Sequence, residues 1–165
     1  GGSDARNLTP KVIEALASFK EIKFNILIGS AFKNRNEIDK ALRESNLNYD
    51  LIENVNDISE LIYNADIVIC SGGLTPFEVA AIGTPFIGIS SKEWEERRLK
   101  RMEEIGICKY AGNWDVFTKD SLHKIFKQLL DKKERLKLSI NSKKLVDGRG
   151  SERVAEMIKK VVSKG

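Results

Sequence analysis

At 165 residues, 41% hydrophobic and 32% charged, the chain has the size and composition of one folded domain and not of a disordered segment. No apolar run approaches a membrane span, no signal-peptide pattern opens the chain, and Cys70 and Cys108 lack the paired spacing of a metal or disulfide module, so a cytoplasmic protein with reduced thiols is expected. The net charge of +4 is uneven: residues 119–165 hold 14 Lys/Arg against 6 Asp/Glu, but no aromatic platform accompanies them, so a solvated helix face is expected and no nucleic-acid partner.

Thr9-Pro10 begins a helix, with Val12, Ile13, Leu16 and Phe19 at core spacing. Phe24 to Ile28 reads as a strand, Asn36 to Glu44 as a helix and Tyr49 to Ile52 as a short strand. Asp57 to Asn64 is a helix leading into Ile67 to Cys70, an apolar β-branched run suited to a strand buried on both faces. Gly72-Gly73 permits a sharp turn. Thr75 is a good N-cap, Pro76 fits a first helical position, and Gly83-Thr84-Pro85 stops that helix before the strand Phe86 to Ile89. Lys92 to Ile105 is a helix of five basic and five acidic residues, and Ile107 to Tyr110 an edge strand. Helices then span Lys119 to Asp131 and about Lys133 to Leu145. Ser151 is expected to cap a last helix with Val154, Met157, Ile158 and Val161 on one face. Strands alternate with helices throughout, which predicts a single domain over 1–165: α/β, Rossmann-like, doubly wound, with a mostly parallel sheet.

Two glycine turns, at 1–3 and 72–73, each precede a helix, and in a parallel sheet both fall on one edge. A diphosphate between them would meet backbone N–H groups and two positive helix ends. The plain alternative is a pair of tight turns. Glu78 fits a capping box with Thr75, a structural role, and could equally accept ribose hydroxyls. His123 reads as a surface residue without a nucleophile. Asp4, Asp66 and Asp147 are isolated acids. No catalytic residue, metal cluster or cofactor is expected.

The run Ser71-Gly72-Gly73-Leu74-Thr75-Pro76-Phe77-Glu78-Val79-Ala80-Ala81-Ile82-Gly83-Thr84-Pro85 resembles the nucleotide-sugar loop in the C-terminal domain of GT-B glycosyltransferases, the group of the peptidoglycan N-acetylglucosaminyltransferase. It is still more similar to the UDP-sugar hydrolase of pseudaminic acid biosynthesis and the spore-coat polysaccharide proteins. Gly1-Gly2-Ser3-Asp4 and Asp147-Gly148-Arg149-Gly150 resemble that group too, so the likeness spans most of the chain. The resemblance implies a UDP-sugar held by Gly2, Ser3, Gly72, Gly73, Leu74 and Thr75, with Glu78 on the ribose and Val55 beside the uracil. Read as a residue alone, Val55 is a core position. Relatives carry glutamine near position 97, aimed at sugar or phosphate; Arg97 stands here, as a diphosphate ligand or a solvated charge.

The resemblance further implies the donor-binding half of a UDP-sugar hydrolase whose catalytic histidine lies on an N-terminal domain. The isolated chain would then bind and not turn over. Half of a glycosyltransferase is the rival. A flavodoxin-like regulatory domain and a fragment disabled by truncation are rivals of other classes. In this fold a strand precedes Gly1, inside the sheet. Without it the neighbouring strands would expose an edge, so a homo-oligomer or a rearranged sheet is expected.

Overall fold

A computed structural model describes residues 3–163. Thirteen elements, helix and strand alternating up to α6 and two further helices after it, follow in the order α1 (Leu8–Leu16), β1 (Lys23–Ile28), α2 (Arg35–Ser45), β2 (Asn48–Glu53), α3 (Ser59–Asn64), β3 (Val68–Ser71), α4 (Thr75–Ile82), β4 (Phe86–Ser90), α5 (Glu93–Glu104), β5 (Lys109–Asn113), α6 (Lys119–Leu129), α7 (Lys132–Leu145) and α8 (Gly150–Val162). Every strand pairing is parallel. The α/β, Rossmann-like, doubly wound expectation therefore holds.

β4 is buried along its whole length. Its successive side chains point to opposite faces, as a pleated strand requires. Phe86 joins Val79 and Ala80 of α4 with Leu99 and Met102 of α5 on one face. Ile87 and Ile89 join Leu16 of α1, Leu122 and Phe126 of α6 and Leu138 of α7 on the other. Helices thus cover both faces of β4, as its apolar sequence requires. α5 approaches β4 closely at Gly88, where an added Cβ would lie 2.4 Å from a Leu99 methyl. A third cluster joins Ile13 of α1, Ile28 of β1 and Ile38 and Leu42 of α2. Phe24 of β1 touches both it and the first cluster, with its ring 6.0 Å from that of Phe126.

The sheet is in two pieces. β1 pairs only with β2, and β3-β4-β5 form a separate set. One edge of β1 and one edge of β3 carry no ladder partner among the described residues. The expected rearrangement, in which another segment fills this place, does not occur within residues 3–163.

Two helix starts differ from expectation. Thr75 is not the cap of α4; Leu74 occupies that position with helical backbone angles (φ −83°, ψ −31°), and no side chain caps the helix. The glycine turn delivers the chain into the helical region one residue early, and Leu74 O already accepts from Phe77 N at 2.9 Å. Ser151 likewise caps nothing, because α8 has begun at Gly150 after Arg149. The stripe Val154, Met157, Ile158 and Val161 does share a face of α8, but no residue of that helix is buried within the described structure.

His123 is half-buried and not free on the surface: its ring stacks 4.8 Å from Phe19. Asp4 is not idle either. Its carboxylate accepts from Leu8 N at 2.8 Å and Thr9 N at 2.7 Å, which satisfies the first free amides of α1.

Candidate functional site

Ligands of open parallel sheets settle beyond the carboxyl ends of the strands. At the end of β3 stand Gly72, Gly73 and Leu74, then Thr75 at the start of α4 and Glu78 one turn in. These five predicted residues form one continuous patch. Pro76 is buried beneath it, whereas the Leu74 side chain is 77% exposed and packs into no core.

Neither Gly72 nor Gly73 has a positive φ, so this turn needs glycine for space and not for backbone freedom. The space is required at Gly72. An added Cβ there would lie 2.6 Å from Glu95 Cβ and 3.1 Å from Glu95 Cα, whereas at Gly73 nothing lies within 4 Å. Glu95 is buried, and its Oε2 accepts from Ser91 N at 2.7 Å and Ser91 Oγ at 2.8 Å. That brace fixes the first turn of α5 against the glycine turn.

Arg98 reaches over from α5. Its Nη1 donates to Gly72 O and to Gly73 O, each at 2.8 Å. The guanidinium lies 5.1 Å from the Phe77 ring and 5.0 Å from the Trp94 ring. The neighbouring Arg97 is exposed and makes no hydrogen bond or ion pair within the described structure. Sequence reasoning singled out Arg97 and passed over Arg98, Glu95 and Ser91. Trp94 stands four residues before Arg98, a spacing that puts both side chains on one face of a helix, but nothing in the sequence says that this face meets the turn.

The Glu78 carboxylate is exposed and bonds to no backbone amide of α4, so the capping-box role is absent. An acid free in the first helical turn can accept hydroxyl hydrogens from a ligand while the open amides of the turn receive its anionic part. Val55 is half-buried in the loop between β2 and α3, at the carboxyl edge of the other half-sheet, after Asn54 with φ 55°. Ser3 is exposed ahead of α1. Gly2 lies outside the described residues. The two helix ends expected to share an anion are not equivalent, because Asp4 already occupies the amides of α1. Only the end of α4 offers its donors.

The thiol at this site, half-buried at the end of β3, is held in its neutral form. Desolvation, reinforced by the Glu78 and Glu95 carboxylates, pushes the Cys70 thiol up to about 12. Burial raises Cys108 as well. Both remain neutral thiols at ordinary pH, where the nucleophilic thiolate is scarce. Iodoacetamide at pH 8 is therefore expected to leave both unmodified in the folded chain and to label both in denaturant, as intact-mass measurement would read. Two surface depressions, one on α7 and one between α5 and α7, include no residue of the glycine turn. No group of three or more potential metal ligands occurs among the described residues, and no helix is long and apolar enough to cross a membrane.

Comparison with known proteins agrees with this architecture. The glycosyltransferase family 28 C-terminal domain matches residues 1–161. The spore coat polysaccharide biosynthesis protein SpsG of Bacillus subtilis is 28% identical over 162 residues, which cover 96% of this chain and 48% of that protein. The UDP-N-acetylglucosamine–N-acetylmuramyl-(pentapeptide) pyrophosphoryl-undecaprenol N-acetylglucosamine transferase of Mannheimia succiniciproducens is 28% identical over 165 residues, covering 95% of this chain and 45% of the enzyme. MurG of Acinetobacter baumannii superposes with a TM-score of 0.79 at 21% identity over 97% of the chain, again about half of its own length (48%). The chain spans about half the length of the curated relatives it matches. It has the fold of a GT-B C-terminal domain and belongs to the glycosyltransferase family 28 C-terminal domain family.

Proposed function

We propose that the chain is the donor-binding half of a GT-B nucleotide-sugar enzyme and holds the UDP moiety of its donor. Glu78 carries the reading. It stands one turn into α4, exposed, with no cap to serve, beside amides that open at the end of β3. In this assignment Glu78 accepts from the ribose hydroxyls, Gly72, Gly73, Leu74 and Thr75 meet the diphosphate, and Val55 meets the uracil ring. Ser3, exposed ahead of α1, and the exposed Arg97 are assigned to the same donor on the sequence resemblance, as is Gly2, which lies outside the described residues.

Transfer of the sugar is the reaction this reading favours, because the matching family is one of glycosyltransferases and a matched relative is named for that activity. Hydrolysis of the same donor, placed first by the resemblance in the sequence, has no such support. The remainder of the chemistry is assigned to a second, N-terminal domain. Two observations support that partner: the chain spans half of its relatives, and the apolar stripe of α8 has no cover within this structure. The open edges of β1 and β3 favour association as well, with that domain or with a second copy. The isolated chain is expected to bind without turnover.

Isothermal titration of the chain with UDP and with UMP tests the site. UDP is expected to bind more tightly, by about tenfold, because a second phosphate adds charge-assisted hydrogen bonds at the helix end. Both affinities are expected to be low, since an open shelf leaves much of the ligand wet. Equal affinities would remove the diphosphate from the assignment.

A further inference from the structure

We infer that Arg98 is a positioning residue of the donor site: it sets the direction in which the glycine turn presents its amides, without touching the donor. The inference rests on the donor-site reading above.

The geometry is as follows. One nitrogen, Nη1, supplies a hydrogen bond to each of two consecutive carbonyls, Gly72 O and Gly73 O, both at 2.8 Å. In a trans peptide the N–H points opposite to the carbonyl of the same unit. Fixing Gly72 O therefore fixes the N–H of Gly73, and fixing Gly73 O fixes the N–H of Leu74. Both amides are aimed away from α5. Neither donates to a partner among the described residues. Two adjacent free donors at the start of a helix, held in one direction, form a concavity suited to an anionic oxygen.

The turn could not hold this orientation unaided. Both carbonyls belong to glycines, which restrict their peptide planes least. The guanidinium is itself held on two sides, by Phe77 of α4 and Trp94 of α5, so the restraint joins the two helices that flank the turn. Arg98 makes no ion pair among the described residues, so its charge adds to the positive end of α4. A lysine could keep the charge but not the flat, stacked geometry.

The test titrates isotopically labelled chain with UDP and follows the backbone amides by NMR. In the unaltered chain the Gly73 and Leu74 amides are expected to shift on binding. Arg98→Met keeps an apolar stem between Phe77 and Trp94. It is expected to lower UDP affinity about tenfold or more and to shrink those two shifts, while the rest of the spectrum stays folded. Arg98→Lys, the milder change, is expected to lose at least about fivefold, because an ammonium has no flat face for Phe77 and Trp94 to hold in one direction. If the unaltered chain binds UDP and both variants bind within about twofold of it, the positioning role fails and the donor site stands. If both variants unfold, Arg98 is a structural strut and the inference is overturned. If the unaltered chain binds no UDP, the donor-site reading falls and this inference falls with it.

Discussion

Gly72→Val is expected to destabilise the chain by about 1–3 kcal/mol, the usual cost of forcing extra carbon into a filled space. The same substitution is expected to abolish UDP binding. The new Cβ would meet Glu95 Cβ at 2.6 Å and Glu95 Cα at 3.1 Å. A backbone atom cannot rotate away, so α5 must retreat from the turn. That motion strains the Ser91–Glu95 brace and withdraws Arg98 from its two carbonyls. The comparison is Gly73→Ala, where nothing lies within 4 Å and φ is not positive, so stability is expected to hold. Any loss of affinity in Gly73→Ala, or in the bulkier Gly73→Val, then reports how closely the ligand approaches the backbone and not strain in the turn. Chemical denaturation and UDP titration of these variants measure both quantities. A Gly72→Val chain as stable as the parent and equally avid would show that α5 does not rest on the turn.

Glu78→Gln separates two roles that the sequence left joined. A carboxylate that accepts ribose hydroxyls makes charged hydrogen bonds, and replacing it with an amide is expected to weaken UDP binding about tenfold to a hundredfold. Stability should scarcely change. Glu78 is exposed and caps no amide of α4, so the thermal midpoint is expected to move by less than about 2 °C. Part of that small shift comes from removing a negative charge near a positive helix end. The opposite pattern, a clear fall in midpoint with affinity unchanged, would make Glu78 a stabilising charge and nothing more.

Much of the architecture was legible because the pattern and the packing agree. The run Ile67 to Cys70 reads as a strand buried on both faces; a strand does form at Val68–Ser71, but it is only half-buried, with one edge unpaired among the described residues. Gly83 ends α4 at φ 87°, donating to Val79 O at 2.9 Å, as a glycine before Thr-Pro suggests. Helix starts were less legible, since the choice of cap depends on where the preceding loop delivers the backbone. Thr75 has the right side chain, but the chain becomes helical at Leu74. Asp4 stands four residues ahead of Leu8, too far to look like a cap, yet the loop folds back through Asn7 at φ 51° and brings its carboxylate onto two amides.

The choice between Arg97 and Arg98 was beyond the sequence for a related reason. Adjacent helical residues point about 100° apart, and two arginines in succession carry no mark of which one faces the turn. Packing of α5 on β4 through Gly88 and Leu99 fixes the rotation and selects Arg98. The distinction between transfer and hydrolysis was not legible at all, because a glycine turn that holds a donor would hold it in the same way whatever attacks it.

The division of the sheet has a consequence for how the chain opens. No ladder hydrogen bond among the described residues joins β1-β2 to β3-β4-β5, so within them the two parts cohere mainly through side chains, chiefly those of α1 and Phe24 against α6. Hydrogen-bonded ladders bind strands into one cooperative unit, whereas a seam of side chains can part while both ladders persist. Separate opening of the two ladders is therefore expected in this chain, as hydrogen exchange of their amides would read. The half holding β1, α2 and β2 can loosen while the half carrying the glycine turn, Arg98 and Glu78 stays closed.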